Sequence, residues 1–370
     1  MATCQVCGEN SLLVAQVLSV CRKCILKRFP DCEKYIREAH HKRRDFGLEP
    51  EPPRHPDGAE CRLCANHCRM AKGSFGYCGV RENRDGKVRQ WMNLGCVSWY
   101  FDSLPTNCVA GWVCPGGTEA GYPDYSYSPG PEYGYKNLAV FYEACNFDCL
   151  FCQNWHFRLQ SRRGELHSAR DLANSVDHRT SCICFFGGDP TPQLPHAIHA
   201  SRLAMKEASG SPTPRMLRIC WETNGGMHPS LAKKMMEISL KTGGCVKFDL
   251  KAVNERIHIA LCGVSNKTTL HNFRTLSSFF EQRPDPPPLV ASTLLVPGYV
   301  DEEEVAAIAG FIAELNPDIP YSLLAFNPHF LTPDLPSTSR RHAERARNAA
   351  LAQGLTRVRV GNLQLLDDTY

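Results

Sequence analysis

Three cysteines lie within eight residues of this 370-residue chain: Cys145, Cys149 and Cys152, spaced C-x3-C-x2-C. An apolar run, NLAVFY at 137–142, leads into them and predicts a buried strand. Three thiolates this close together can ligate one iron–sulfur cubane, whose fourth iron then stays open to a molecule that is not protein. The alternative is zinc, but zinc sites usually pair two C-x2-C units, and no such partner pair follows in the sequence. The spacing therefore predicts a [4Fe–4S] cluster with one open iron.

The composition is that of ordinary globular protein, with 43% hydrophobic and 22% charged residues. The length suits about two domains, or one large α/β domain with an appendage. No run approaches the ~20 apolar residues of a transmembrane helix, and the N-terminus lacks a signal-peptide core. The net charge of +4 comes without a basic patch interleaved with aromatic residues. We therefore expect neither a membrane nor a nucleic-acid partner.

Twenty cysteines are many for a chain of this length. Their C-x2-C and C-x3-C groupings, without an export signal, indicate metal binding in a reducing compartment rather than disulfides. We therefore expect a cytoplasmic protein. An accessible cluster is also oxygen-labile, which favours an anaerobic or microaerobic cell.

Residues 1–35 carry a C-x2-C-x13-C-x2-C pattern, which is typical of a zinc-ribbon-like module; a rubredoxin-like iron site is the minority alternative. The stretch 36–60 is charged and then Pro-rich, and it reads as a linker in which residues 40–44 (HHKRR) form a solvated face. The predicted metal ligands of the module are Cys4, Cys7, Cys21 and Cys24.

A second cysteine-rich segment covers 61–136 and holds a possible auxiliary metal site. Its spacing does not decide between zinc and an auxiliary iron–sulfur cluster. Cys96, Cys108 and Cys114 follow in the same segment, and they are either buried small hydrophobes or further ligands. The predicted ligands of the auxiliary site are Cys61, Cys64, Cys68 and Cys78.

From residue 137 to 370, short apolar runs alternate with segments that have helical start and stop signals. Ser168 and Asp301 suit helix N-caps, Pro229 suits a first turn, and the pair 243–244 (Gly-Gly) suits a helix end. Near-continuous apolar strands alternating with helices predict a parallel sheet covered on its outer face. The predicted strands are 137–142, 181–186, 215–221, 245–250, 290–296 and 321–326, with a short final strand at 357–362.

Polar residues follow each predicted strand where it ends. In a parallel α/β barrel, the loops after the carboxyl ends of the strands form the active site. Five polar clusters at five successive strand ends therefore predict a site built around the three cysteines. The clusters are Gly187–Pro190, Glu222–Gly225, Asp249–Lys251, 296–298 (VPG) and 327–329 (NPH).

These motifs resemble those of radical S-adenosylmethionine (SAM) enzymes, specifically the branch that resembles pyruvate formate-lyase-activating enzyme. The likeness covers 137–362 and rests on Phe151 before the third cysteine, a GG-D-P turn, an ETNG segment and a DLK segment. Residues 61–84 are also similar to radical SAM proteins of the AmmeMemo system. The resemblance implies an α/β fold: an incomplete parallel (βα)6 barrel at 137–370, preceded by small cysteine-rich metal-binding modules.

The resemblance also implies how SAM would bind. Gly187, Gly188 and Asp189 would hold the methionyl amino group, and Lys251 would reach the carboxylate or the ribose. Phe151 would lie against the adenine. A monovalent cation would sit beside the carboxylate, at Glu222, Thr223 and Asp249. Pro190 and Asn224 belong to the same cofactor-binding motifs. Asp189 stands where activating enzymes usually have Glu, and Glu222 where they usually have Asp.

The predicted function is reductive cleavage of SAM to a 5′-deoxyadenosyl radical, with Cys145, Cys149 and Cys152 as catalytic cluster ligands. The radical would abstract hydrogen from a protein partner, as in an activating enzyme or maturase, and a flavodoxin- or ferredoxin-type donor would supply the electron. One alternative is a radical SAM enzyme that acts on a small molecule or RNA. Another is a non-enzymatic zinc or iron–sulfur protein.

Overall fold

The computed structural model describes residues 1–212 and 215–370, and its N-terminal quarter consists of small elements around cysteine-bearing turns. Two helices follow the first hairpin, and a 3-10 turn, Lys42–Phe46, continues directly from the second. The elements are β1 (Ala2–Thr3), β2 (Asn10–Ser11), α1 (Arg22–Lys27), α2 (Phe29–His41), β3 (Ala59–Glu60), β4 (Arg69–Met70), β5 (Arg81–Arg84) and β6 (Lys87–Gln90).

A nine-stranded sheet forms the rest of the molecule. Its strands are β7 (Gly95–Ser103), β8 (Lys136–Tyr142), β9 (Leu166–His167), β10 (Thr180–Gly187), β11 (Arg218–Thr223), β12 (Val246–Asp249), β13 (Leu289–Leu295), β14 (Tyr321–Ala325) and β15 (Val358–Gly361). Their order is β15-β14-β13-β12-β11-β10-β8-β7-β9. The seven strands from β8 to β15 other than β9 run parallel, whereas β7 pairs antiparallel with β8 and β9.

Helices connect the parallel strands, because parallel neighbours are joined by crossover connections. They are α3 (Phe157–Gln160), α4 (Ala169–Asn174), α5 (Leu194–Gly210), α6 (Pro229–Thr242), α7 (Glu255–Cys262), α8 (Lys267–Ser277), α9 (Glu302–Leu315) and α10 (Arg340–Ala352). The predicted α/β fold with a mostly parallel sheet is confirmed. No helix in the described part of the chain is long and apolar enough to cross a membrane.

The core lies between the sheet and these helices. Alternate residues of each strand point to opposite faces. On the helix-covered face, the rings of Phe185 (β10) and Trp221 (β11) stack with centroids 4.6 Å apart. Ser168 accepts a hydrogen bond from the Asp171 backbone in a capping box, and Asp301 caps α9, as the sequence predicts. The last helix begins after Ser339, whose side chain accepts a hydrogen bond from the His342 backbone N–H.

The inner face of the sheet wraps around the segment 104–117, which precedes the parallel strands in sequence. The Trp112 indole N–H donates to Ser322 Oγ of β14 at 3.0 Å. Further along the sheet, the Cys108 thiol lies 3.1 Å from the ammonium of Lys247, which β12 carries. The segment therefore packs inside the curve of the sheet.

Two expectations about the chain before residue 137 need correction. The 36–60 linker begins inside α2, and its residues 40–44 are not a solvated face, because His40 is 5% and Arg43 2% exposed. Both side chains reach a buried aspartate, as described below. The strand β7 was not predicted, although its Val, Trp, Tyr and Phe content is typical of a strand.

Candidate active site

The three closely spaced cysteines follow β8, at the carboxyl end of the parallel strands. All three are free thiols; Cys145 is buried, and Cys149 and Cys152 are half-buried. Residues from the next three strand ends line the same cavity. The predicted site residues on this cavity are Cys145, Cys149, Phe151, Cys152, Gly187, Gly188, Asp189, Asn224, Asp249 and Lys251.

A buried acid, Asp148, holds the cysteine loop in place. Its carboxylate lies 2.9 Å from His40 Nδ1, 3.0 Å from Arg43 Nη1 and 2.9 Å from Arg158 Nη2. All four side chains are at most 6% exposed. Burial opposes ionisation of Asp148, but Arg43, His40 and Arg158 hold its pKa well below the usual range. No sequence motif indicates this network, because His40 and Arg43 lie more than a hundred residues away from Asp148.

Asp189 joins the loops after β10 and β11. Its carboxylate accepts hydrogen bonds from the backbone N–H groups of Thr191, at 2.8 Å, and Asn224, at 2.7 Å. The Thr223 hydroxyl donates to it at 3.1 Å. Burial raises the pKa of Asp189 to about 6, against the effect of these donors. Thr223 therefore acts on this carboxylate and does not itself line the cavity.

Asn224 connects these loops to the cysteines. Its side-chain amide donates to Asn146 Oδ1 at 2.8 Å and lies 3.6 Å from Cys145 Sγ. The Phe147 backbone N–H also points at Cys145 Sγ, at 3.4 Å. These donors surround one thiol, as hydrogen bonds surround the sulfur ligands of iron–sulfur clusters.

Two glycines let the β10 loop approach the cysteine loop closely. A Cβ at Gly188 would lie 2.3 Å from the carbonyl oxygen of Ala144. This contact is too short, so any larger residue at position 188 would require the backbone to move. Gly187 has φ +100°, which side-chain-bearing residues rarely adopt. Pro190 begins the following 3-10 turn and does not line the cavity.

On the opposite side of the cavity, Lys251 and Asp249 form an ion pair with Nζ–Oδ2 at 2.6 Å. Ser292 donates to the other Asp249 oxygen at 2.7 Å. The Lys251 ammonium lies 5.8 Å from the centroid of the Phe151 ring. A cation, an aromatic face and three thiols therefore share one cavity.

Comparison with known proteins agrees with this arrangement. Residues 139–312 match the sequence profile of the radical SAM superfamily. These residues belong to that superfamily.

The relatives differ in how much of the chain they match. An uncharacterized protein of Methanocaldococcus jannaschii is 24% identical over 82% of this chain and 81% of its own. An isethionate sulfite-lyase activating enzyme of Desulfovibrio desulfuricans is 35% identical over 30% of this chain and 34% of its own. SAM-bound SuiB of Streptococcus suis is 14% identical, with a TM-score of 0.44, 60% of this chain and 49% of SuiB being covered. The chain thus spans about a third of the activating enzyme and about half of SuiB.

Glu222 does not lie at the cavity of the radical SAM domain, contrary to the predicted cofactor and cation site. It sits one residue before the end of β11, and its carboxylate lies 2.8 Å from the Lys247 ammonium. Because it precedes the strand end, it faces the inside of the sheet below the cofactor cavity. There it lines a separate cavity of about 290 Å³ together with Cys108, Cys114 and Lys247.

The four cysteines of the first module meet as predicted. The Sγ atoms of Cys4, Cys7, Cys21 and Cys24 all lie within 4.8 Å of one another. Burial opposes ionisation of Cys4, but backbone N–H groups, first that of Cys21, lower its pKa to about 7. This spacing suits four thiolates around a single ion, the arrangement of structural zinc.

The remaining predicted ligands lie near β3 and β4. Cys61 and Cys68 pair across this hairpin, with Cys61 N–H donating to the Cys68 carbonyl at 2.8 Å. Cys64 occupies the turn between them, and Cys78 precedes β5. Cys96 is 1% exposed and packs against apolar neighbours, as a small hydrophobe would. Cys262 is a further cysteine that no sequence motif indicates, and its sulfur lies 3.5 Å from Cys149 Sγ.

Proposed function

We propose that this chain is an enzyme that cleaves SAM reductively at a [4Fe–4S] cluster held by Cys145, Cys149 and Cys152. The observation that carries the proposal is the shared cavity, in which three free thiols face groups suited to an amino-acid ligand. Thiolate-ligated clusters need nearby donors to offset their charge. Arg158 meets this need: its Nε and Nη1 are buried and have no hydrogen-bond partner among the described residues. Burial raises the pKa of Cys152, and the charge of Arg158 opposes that rise.

When bound, the cluster supplies the electron that splits SAM into methionine and a 5′-deoxyadenosyl radical. The residues of the chain would position the substrate for that step. In this proposal, the Asp189 carboxylate accepts hydrogen bonds from the methionyl ammonium, and the Lys251 ammonium pairs with the methionyl carboxylate. The backbone at Gly187 and Gly188 allows the close approach, and Phe151 packs against the adenine.

A monovalent cation has no place in this proposal. The Glu222 carboxylate, which the resemblance assigned to the cation, is paired with Lys247 instead. Lys247 is 2% exposed, and its ammonium already neutralises the Glu222 carboxylate.

We further propose that the hydrogen comes from a protein partner, with a flavodoxin- or ferredoxin-type protein as electron donor. Support comes from the 35% identity to an isethionate sulfite-lyase activating enzyme over 117 residues. The partial exposure of Cys149 and Cys152 also supports access of a partner to the site.

The first experiment measures 5′-deoxyadenosine from anoxically reconstituted protein with dithionite and SAM. The C145A/C149A/C152A variant should make none, whereas Cys96→Ala, which changes a buried thiol outside the cavity, should stay within about twofold. Product that persists in the triple variant would rule out this cluster as the site of cleavage.

A second experiment identifies the substrate class. Cells grown in D₂O supply deuterated protein, RNA and small-molecule fractions, and each is added to the reaction separately. Deuterium in 5′-deoxyadenosine from the protein fraction alone is expected. Transfer from the RNA or small-molecule fraction, with none from protein, would overturn the protein-substrate proposal while leaving the SAM cleavage intact.

A further inference from the structure

The strand β7, the longest of the sheet at nine residues, has one edge that is mostly unpaired. On one side it pairs with β8 from Val97 to Ser103. On the other side β9 pairs with its first two residues alone, and the Val97 N–H donates to the Glu165 carbonyl at 3.1 Å. Beyond Val97, no strand in the described part of the chain pairs with this side. We call the stretch 98–103 on this side the free edge of β7.

The backbone groups at the free edge have a defined direction, because alternate residues of an antiparallel strand point to opposite sides. The Leu104 N–H, directly after β7, donates to the Tyr135 carbonyl, directly before β8, at 3.0 Å. Even-numbered residues of β7 therefore face β8, and odd-numbered residues face away from it. Their N–H and C=O groups have no partner among the described residues. The residues that face the free edge are Trp99, Phe101 and Ser103.

The usual protection of an edge strand is missing here. Proteins generally guard such an edge with Lys or Pro, or cover it with another segment. Residues 97–103 (VSWYFDS) contain neither Lys nor Pro. Tyr100 is 53% and Phe101 45% exposed, so the described chain does not cover them. An aromatic edge suits a further strand, because aromatic side chains stabilise a sheet through cross-strand pairs.

The free edge also borders the cavity of about 290 Å³ inside the sheet. Tyr100 and Asp102 line that cavity together with Lys247. In β12, Lys247 lines this cavity, and Asp249, two residues further along, lines the cofactor cavity. Two residues of a strand span about 6.6 Å, so the two cavities are neighbours. A strand added to β7 continues the wall of the inner cavity and points alternate side chains towards it.

We propose that an extended segment of the protein substrate binds at the free edge of β7 as an additional strand. Main-chain hydrogen bonds to Trp99, Phe101 and Ser103 hold the segment, and its inward-facing side chains reach the cavity next to the proposed SAM site. The segment has no Pro at its paired positions and carries apolar or aromatic residues beside Trp99 and Phe101. A second copy of this chain is the competing occupant, and the position of the edge beside the inner cavity favours the substrate. The identity of the segment as substrate rests on the proposed function, whereas strand addition does not.

Hydrogen–deuterium exchange at residue resolution tests the edge itself on the full chain. The amides of Trp99, Phe101 and Ser103 should exchange at least about tenfold faster than those of Ser98 and Tyr100, which face β8. Equally slow exchange on both sides would show that the edge is already covered. Protection that grows with protein concentration would assign the edge to a second copy. Either result would overturn the proposal.

Peptides selected from a random display library test strand addition without any SAM cleavage. Phe101→Pro removes an outward N–H and keeps the hydrogen bonds to β8, as Pro does on edge strands. Phe101→Ala is the matched control, because it also loses the ring but keeps the N–H. A selected peptide should bind Phe101→Pro at least tenfold more weakly than Phe101→Ala and should slow exchange at Ser103.

Ser103→Pro, which removes another outward N–H, should weaken the same peptide as strongly and guards against a local distortion at position 101. Equal affinity for Phe101→Pro and Phe101→Ala, or a selection that yields no peptide, would overturn strand addition.

Deuterium transfer from the labelled protein fraction tests the role of the segment as substrate. The fraction of 5′-deoxyadenosine that carries deuterium should fall at least tenfold in Phe101→Pro relative to Phe101→Ala. Equal fractions in the two variants would overturn the substrate role and leave strand addition in place. Failure of every variant, Phe101→Ala included, to form 5′-deoxyadenosine would overturn the proposed function and with it the substrate role. Peptide binding then still decides whether a strand adds to β7.

Discussion

One residue, Asp148, connects the cysteine loop to the N-terminal part of the chain. It lies between two of the three proposed cluster ligands, and its carboxylate contacts two arginines and a histidine. Two of these partners belong to α2 and the turn that follows it. The position of the thiols therefore depends on residues far away in the sequence.

Asp148→Asn should lower the free energy of unfolding by about 3–5 kcal/mol, because it leaves Arg43 and Arg158 buried without their counter-charge. Anoxic urea denaturation at pH 7 measures the change. Asp31→Asn is the matched control, since the Asp31–Arg28 pair is about half exposed and should contribute less than about 1 kcal/mol. Equal, small losses in both variants would show that the buried network adds no stability.

Asp189 should make SAM binding dependent on pH. Burial raises its pKa to about 6, so the carboxylate is mostly ionised at pH 7 and mostly neutral at pH 5. Since only the ionised form attracts an ammonium group strongly, affinity should fall about tenfold from pH 7 to pH 5.

Calorimetric titration of SAM into cluster-loaded protein measures this dependence. Asp189→Asn should bind more weakly at pH 7 and show a flat profile across the same range. A profile that keeps its slope in the Asn variant would assign the titration to another group.

At the scale of elements, a buried tyrosine helps to attach the N-terminal cysteine module to the domain that contains the sheet. The Tyr299 hydroxyl accepts from the Ala15 N–H at 2.9 Å and donates to the Val20 carbonyl at 3.0 Å. Arg22 adds an ion pair to Asp301, the N-cap of α9, at 3.1 Å. Tyr299 is fully buried, so both hydrogen bonds are shielded from water.

Tyr299→Phe should loosen the module without unfolding the sheet, because two backbone groups lose a buried partner at about 1–3 kcal/mol each. Hydrogen–deuterium exchange should become at least tenfold faster in the segment 14–20. Tyr321→Phe is the control: its hydroxyl donates to Thr293 within the sheet, so exchange at 14–20 should not change. Equal acceleration in both variants would contradict this attachment.

For the whole molecule, sequence periodicity was enough to predict the parallel sheet, because strands covered on both faces are apolar along their length. Helix ends at Ser168, Pro229 and Asp301 were predictable because capping is local. The strand β7 and the buried end of α2 were not. Both depend on partners distant in the chain. The charged residues at the end of α2 are typical of an exposed segment, and only the contact with Asp148 explains their burial.

The candidate site also contains residues that the sequence predicts and one that it misplaces. Residues at strand ends meet because parallel strands end at one edge, which brings Gly188, Asp189 and Lys251 next to the cysteines. The same rule failed for Glu222, because β11 continues to Thr223 and a side chain within a strand faces a different layer. The alternation of side chains along a strand decides which face of the sheet a residue is on. A sequence-based strand end that is known only to within a residue or two therefore cannot assign the face of Glu222.

The large sequence separation between Arg43 and Asp148 has a consequence for synthesis on the ribosome. The two residues are 105 positions apart. At 5–20 residues per second, Asp148 is therefore synthesised about 5–20 s after Arg43. The four thiols of the N-terminal module are all synthesised within the first 24 residues, so they are available to a metal ion during that time. His40 and Arg43 stay in water until Asp148 emerges. We therefore expect the loop that carries the three cysteines to dock after all four thiols of the module have been synthesised.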